Sequence, residues 1–257
     1  MARKPAVKAT HAANEVYVDK PLRVVSNTLK VTINHLKTFE PLTENQKVFF
    51  EAYTQGDYFI ALHGVAGTGK TFCALYKALE EVLDKSNPFK KIIVVRSAVQ
   101  SREIGHLPGD VSEKMDIYQQ PYKQICETLF ERKDAWDRLE EQGYVEFIST
   151  SFIRGMSFDD AIIIVDEGQN LSYSELDTVM TRVGYRSKIM FCGDYRQTDL
   201  KKNGDLSGLV KFFDIAALMQ AFTRIEFTVD DIVRSSLVRD YIIAKLKYED
   251  KAEKICR

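Results

Sequence analysis

Three glycines, a lysine and a threonine stand at Gly64, Gly67, Gly69, Lys70 and Thr71, in the stretch Gly64-Val65-Ala66-Gly67-Thr68-Gly69-Lys70-Thr71. Glycines at this spacing let the backbone curl until consecutive amide hydrogens point at one anion, and a helix starting at Gly69 adds the positive end of its dipole. Lys70 can then reach β- and γ-phosphates, and the Thr71 hydroxyl is placed for a magnesium ion. The pattern is a phosphate loop, and it implies a nucleoside triphosphate site. A second constellation is Asp166-Glu167, at the end of the apolar run Ala161–Val165. There an aspartate can hold magnesium and a glutamate can take a proton from an attacking water. The third is Gly193-Asp194-Tyr195-Arg196-Gln197, where Gln197 or Asp194 can report on the γ-phosphate.

These groups need a scaffold that brings three distant segments to one edge. Tyr58–Leu62 supplies a strand into the phosphate loop and Phe72–Leu79 a helix out of it. Further apolar runs at Lys91–Val95, Val145–Ile148, Ala161–Val165, Lys188–Cys192 and Phe222–Thr228 have the character of strands buried on both faces of a parallel sheet. Helices are expected from Pro121 to Glu141, Ser174 to Val183 and Ser207 to Met219. A final helix is expected to be capped by Asp230 and to bury Val233, Leu237, Val238 and Ile242. Thr43 can cap a helix ending near Tyr53, with Gln46 in the boxing position; the Gln46 amide can equally read an adenine edge. The fold class is α/β, a three-layer P-loop NTPase core with a mostly parallel sheet. Residues 1–40 read as a basic arm with short strands at Leu22–Val25 and Leu29–Ile33, and residues 41–257 as a single ATPase domain.

Apolar residues make up 45% and charged residues 28%, which excludes a largely disordered chain. The basic N-terminus lacks the apolar segment of a secretory signal, and the expected setting is cytoplasmic, without a membrane. Cys73, Cys126, Cys192 and Cys256 show no metal or redox spacing, and Cys73 and Cys192 read as core residues. With a net charge of -1, attraction to nucleic acid has to be local. Arg96, Arg102, Lys114 and Arg154 are the candidates for it, each in a segment expected near the crevice edge; pairing with nearby acids such as Glu103, Asp110 and Glu113 is the alternative.

In their order these motifs resemble the PhoH-like family of P-loop ATPases, named for phosphate-starvation-inducible proteins. The resemblance runs from about Leu42 to Ala244. It is carried by Arg96, Leu107-Pro108-Gly109 with Glu113-Lys114, Arg154-Gly155, Asp166-Glu167-Gly168-Gln169-Asn170, Thr181-Arg182-Val183-Gly184, Gly193-Asp194 with Gln197-Thr198-Asp199-Leu200, Ser207-Gly208-Leu209 and Asp231-Ile232-Val233-Arg234. It departs at Gly168, where alanine is usual, at Ser97, where proline is common, and at Val99-Gln100-Ser101-Arg102. The resemblance implies a RecA-like core similar to the first motor domain of superfamily 1 helicases, and a stand-alone or phage-encoded type, working in the host cytoplasm in the latter case. It further implies ATP and magnesium as cofactors, and a homo-oligomer such as a hexameric ring. In this scheme Lys70, Thr71 and Asp166 hold nucleotide and metal, Glu167 is the base, Gln197 the γ-phosphate sensor, and Arg182 or Arg234 the cation opposite that phosphate. The expected function is a Mg-dependent ATPase, a helicase-like motor coupled to RNA or single-stranded DNA. An ATP-driven switch or chaperone-like ring acting on protein is the alternative, and small-molecule phosphorylation is disfavoured because Glu167 suits water activation.

Overall fold

The computed structural model describes residues 30–97, 111–194 and 206–255. Among them six strands, β1 (Phe59–Gly64), β2 (Lys91–Arg96), β3 (Val145–Ser149), β4 (Ala161–Val165), β5 (Lys188–Gly193) and β6 (Phe222–Phe227), form one sheet in the order β3-β2-β4-β5-β1-β6. Every neighbouring pair is parallel. Helices α1 (Glu44–Thr54), α2 (Lys70–Leu83), α3 (Val111–Phe130) and α4 (Ala135–Glu141) contribute to the core on one face. Helices α5 (Tyr173–Met180) and α6 (Leu206–Ala216) build the core on the other, and α7 (Ser236–Ile255) closes the chain.

Successive residues of a strand point to opposite faces, so a strand covered on both sides must be apolar throughout. Ile60, Leu62, Ile92, Val94, Ile162 and Ile164 enter the core with α2 and α3. Phe59, Ala61, Ile93, Val95, Ile163 and Val165 enter the core with α5 and α6. Burial of each large side chain contributes about 1.5–3 kcal/mol, which explains why the apolar runs mark the strands so clearly.

The register sets up the site. Leu62 lies beside Cys192 and Val165 beside Phe191, so the segments leaving β1, β4 and β5 emerge together at one edge. Gly64, Asp166 and Gly193 are thereby neighbours although more than a hundred residues separate the first from the last.

Three expectations require correction. Over its described part Leu29–Ile33 is not a strand: Ile33–His35 is a 3-10 turn, and Val31, Leu36 and Phe39 pack on the α2 side of the core. The helix expected from Pro121 to Glu141 begins at Val111, carries Pro121 inside, and breaks at Glu131, whose φ of 52° is left-handed, before α4. A proline removes one backbone donor from the ladder. Burial of Tyr122, Cys126 and Leu129 holds the helix through it. The last helix starts at Ser236, after a 3-10 turn Val229–Asp231 capped by Thr228; Leu237 and Val238 are exposed, while Ile242 packs beside Val65, Ile232 and Leu246. Cys73, Cys126 and Cys192 are buried, as the apolar context of Cys73 and Cys192 predicts, and burial pushes the Cys73 thiol up to about 12. Among the described residues no helix is long and apolar enough to cross a membrane.

Candidate nucleotide site

The loop between β1 and α2 depends on glycine at two positions in particular. Gly64 has φ 120°, and a Cβ there would lie 2.0 Å from the Phe227 carbonyl oxygen, so any side chain would push β6 away. Gly69, the N-cap of α2, has φ 82°, a left-handed conformation that side chains disfavour. The α2 amides are thus aimed into a cleft of about 470 Å3. Ala66, Gly67, Thr68, Gly69, Lys70 and Thr71 line it on one side, and Asp166, Glu167, Gln169, Gly193 and Asp194 on another.

Lys70 is nearly buried, and its Nζ donates to the carbonyls of Gly64 (2.9 Å) and Val65 (2.7 Å) and to Thr68 Oγ1 (3.3 Å). Burial lowers its pKa, against the opposing pull of Asp194, Glu167 and Asp166. Thr71 Oγ1 donates to Asp166 Oδ1 at 2.7 Å. Glu167 has φ 52°, a rare conformation for a residue with a side chain. Its pKa is raised, first by burial and then by the Asp166 charge, with Arg96 opposing. Gln169 Nε2 donates to Glu167 Oε2, and Gln169 Oε1 accepts from the Asp194 amide at 3.0 Å. That one side chain ties the acidic loop to the end of β5.

Thr71 and Asp166 offer a hydroxyl and a carboxylate oxygen side by side. Hard oxygen donors of this kind fit magnesium, which keeps waters and phosphate oxygens in most of its positions.

Across residues 38–245 the sequence matches the family described as PhoH-like protein. The chain belongs to the PhoH-like family. Relatives include the PhoH-like protein of Bacillus subtilis, 36% identical over 81% of this chain and 64% of that protein. The PhoH-like protein of Mycobacterium tuberculosis is 34% identical over 87% of this chain and 62% of that one. Protein PhoH of Escherichia coli is 33% identical over 68% of this chain and 49% of that protein. The match therefore spans less than two thirds of the length of these relatives. Among solved structures the large terminase of a thermophilic bacteriophage is similar, with 13% identity, TM-score 0.46, and coverage of 79% of this chain and 50% of that one.

Within this PhoH-like chain the arginines part company. Arg234 lines the cleft and its side chain lies against Gly67, while the Val233 amide donates to the Gly67 carbonyl at 3.1 Å. Arg182 follows α5 at the opposite edge of the sheet, where its carbonyl accepts from the Phe158 amide. Arg96 reaches the cleft wall and stacks over the Tyr118 ring at 5.7 Å, whereas Arg154 is exposed in the turn after Thr150–Phe152 and does not line the cleft. Lys114 falls in the first turn of α3. Arg102 and Gln197 lie outside the described residues.

Gln46 is buried with both ends of its amide engaged: Oε1 accepts from the Leu42 amide (2.8 Å) and Nε2 donates to the Thr68 carbonyl (3.0 Å). In this conformation it braces the phosphate loop. Sequence reasoning missed the α3 wall, made by Pro121, Gln124, Ile125 and Thr128. The spacing of three, one and three residues puts these on one helical face, and a helix begun at Pro121 already contained that signal. It also missed Tyr122, whose hydroxyl donates to Asp166 Oδ2 at 2.8 Å.

Proposed function

We propose that this PhoH-like chain binds and hydrolyses ATP with magnesium, and couples hydrolysis to binding or remodelling of RNA or single-stranded DNA. The supporting observation is the convergence, in one cleft, of the phosphate loop, the Thr71–Asp166 hydrogen bond and Glu167 with a raised pKa. In this scheme the loop amides and Lys70 hold the phosphates. Water attacks the γ-phosphorus as the bond to the ADP oxygen breaks, and Glu167, more basic than an ordinary glutamate, takes the water's proton. Magnesium, held through Thr71 and Asp166, would neutralise charge on the β- and γ-phosphates. Arg234 is the cation within its own subunit. Arg182, at the far edge of the sheet, can serve only a neighbouring chain, so a role for it requires a homo-oligomer such as a ring.

Nucleic acid would cross the strand-end edge by Arg96 and Arg154, with Arg102 and Lys114 as further contacts. The test is hydrolysis with and without single-stranded RNA or DNA across a salt series, in the wild type and in Arg96→Ala/Arg154→Ala. Stimulation that weakens with salt, and is smaller in the double variant relative to that variant's own basal turnover, is expected. Absence of binding at low salt would shift weight to a protein-directed switch or chaperone-like ring, operating in the cytoplasm. Exposed Leu237, Tyr241 and Tyr248 on α7 favour that second reading.

A further inference from the structure

Helix α3 packs into the core through Tyr122, Cys126 and Leu129. The Tyr122 ring is fully buried, with the rings of Trp136 and Phe147 each 5.8 Å away between centroids. For packing alone a phenylalanine would serve. A tyrosine adds a hydroxyl that must find a partner once buried, and the partner is Asp166 Oδ2 at 2.8 Å. The other oxygen, Oδ1, accepts from Thr71 Oγ1 at 2.7 Å. Two elements foreign to β4 therefore hold the carboxylate, α2 by one oxygen and α3 by the other. One turn earlier on the same face of α3, Tyr118 lies under the Arg96 guanidinium. A single helix thus contacts both the strand-end arginine and the acidic residue of the site.

We infer that Tyr122 is a positioning residue for magnesium: its hydroxyl fixes Asp166 Oδ2 and so keeps Oδ1 turned to Thr71, where the two oxygens can act on one ion. The inference rests on the proposed nucleotide site and names a determinant of its metal affinity. A carboxylate at a strand end with one anchor can rotate about its last torsion; anchored at both oxygens it cannot. Outer partners of this kind commonly change metal affinity about 10- to 100-fold when removed, enough to be read in a titration. The contrasting account is that Asp166 only satisfies a buried phenol, in which case losing the hydroxyl leaves the metal untouched.

The experiment uses the whole 257-residue chain. ADP affinity is measured by calorimetry with and without magnesium, and the magnesium concentration giving half-maximal tightening is compared between wild type and Tyr122→Phe. The expected result is unchanged magnesium-free affinity, an increase on the order of ten-fold in half-saturating magnesium, and near-normal turnover once magnesium saturates. Trp136, the single tryptophan, neighbours the Tyr122 ring, and its emission reports whether the fold around the substitution is intact. In an Asp166→Asn background the Tyr122→Phe change should add nothing further. A Phe variant that keeps wild-type half-saturation, or an effect fully additive with Asp166→Asn, overturns the positioning role while leaving the ATPase proposal standing. Wild-type ADP affinity indifferent to magnesium would overturn the positioning role alone, whereas wild-type ATP turnover indifferent to magnesium would overturn both.

Discussion

The two edges of the sheet treat charge in opposite ways. At the edge where strands begin, Asp160 and Lys188 each sit against opposite charges. Asp160 accepts from Lys90 Nζ (2.7 Å) and Arg186 Nε (2.6 Å), and these bonds hold its carboxyl down at about 2. Lys188 meets Glu81 at 2.8 Å and lies over the Tyr53 ring at 4.1 Å, while the Tyr53 hydroxyl donates to the same carboxylate. At the edge where strands end, Asp166, Glu167 and Asp194 gather around one lysine, whose ammonium is held by the carbonyls of its own loop. Glu167 is raised and Lys70 lowered, both chiefly by burial. Paired charges settle a structure, whereas convergent, partly desolvated charges keep a site ready for a charged ligand.

The sharpest way to break this contrast is at Lys70 and Glu167. Lys70→Ala should reduce ATP binding or turnover by about 10²-fold or more without lowering the melting temperature, because a desolvated cation is removed. Glu167→Gln should retain ATP binding and lose about 10²- to 10⁴-fold in turnover. Wild-type kinetics in both would show that the convergent edge is only structural.

At the paired edge the pattern should invert. Lys188→Met leaves Glu81 without its cation and should cost about 3 kcal/mol of stability by urea titration, with nucleotide affinity of the folded protein unchanged. A variant as stable as wild type would mean that the pair contributes nothing there.

A smaller effect separates the arginines. Arg234→Ala should lower turnover about ten-fold in its own subunit if, as proposed, it supplies the cation opposite the γ-phosphate. Arg182→Ala should do so only if chains assemble, and mixing it with Lys70→Ala should then restore some activity. No recovery in a preparation with demonstrated subunit exchange would leave Arg182 a structural residue.

A last contrast concerns His63, the β1 residue just before the phosphate loop. Burial lowers its pKa to about 4, with Arg224 and Lys70 adding to the shift, and Arg224 Nε donates to its Nε2 at 2.7 Å. The unfolded chain protonates this histidine near 6.5 and the native protein only near 4. Stability is therefore full above the unfolded value and declines as pH falls from 6.5 towards 4. Thermal melts over that range should show a smaller decline in His63→Gln, and an identical decline would place the acid sensitivity elsewhere.

Much of this was legible in the chain itself. Strands buried on both faces have to be apolar without interruption, so Ala161–Val165 or Lys91–Val95 could be read locally, and the phosphate loop is a local backbone device whose glycines are dictated by curvature. Capping by Thr43 and the acidic pair at a strand end are equally local. Helix boundaries were less so: Pro121 looked like a start because its missing amide is a local fact, while the burial that carries α3 across it is a property of the assembled core. The occupation of Gln46 by the Thr68 carbonyl, the remoteness of Arg182 from its own cleft and the grip of Tyr122 on Asp166 join residues far apart in sequence. Nothing in composition or periodicity encodes such meetings, because they follow from strand order and register, which only the packed sheet decides.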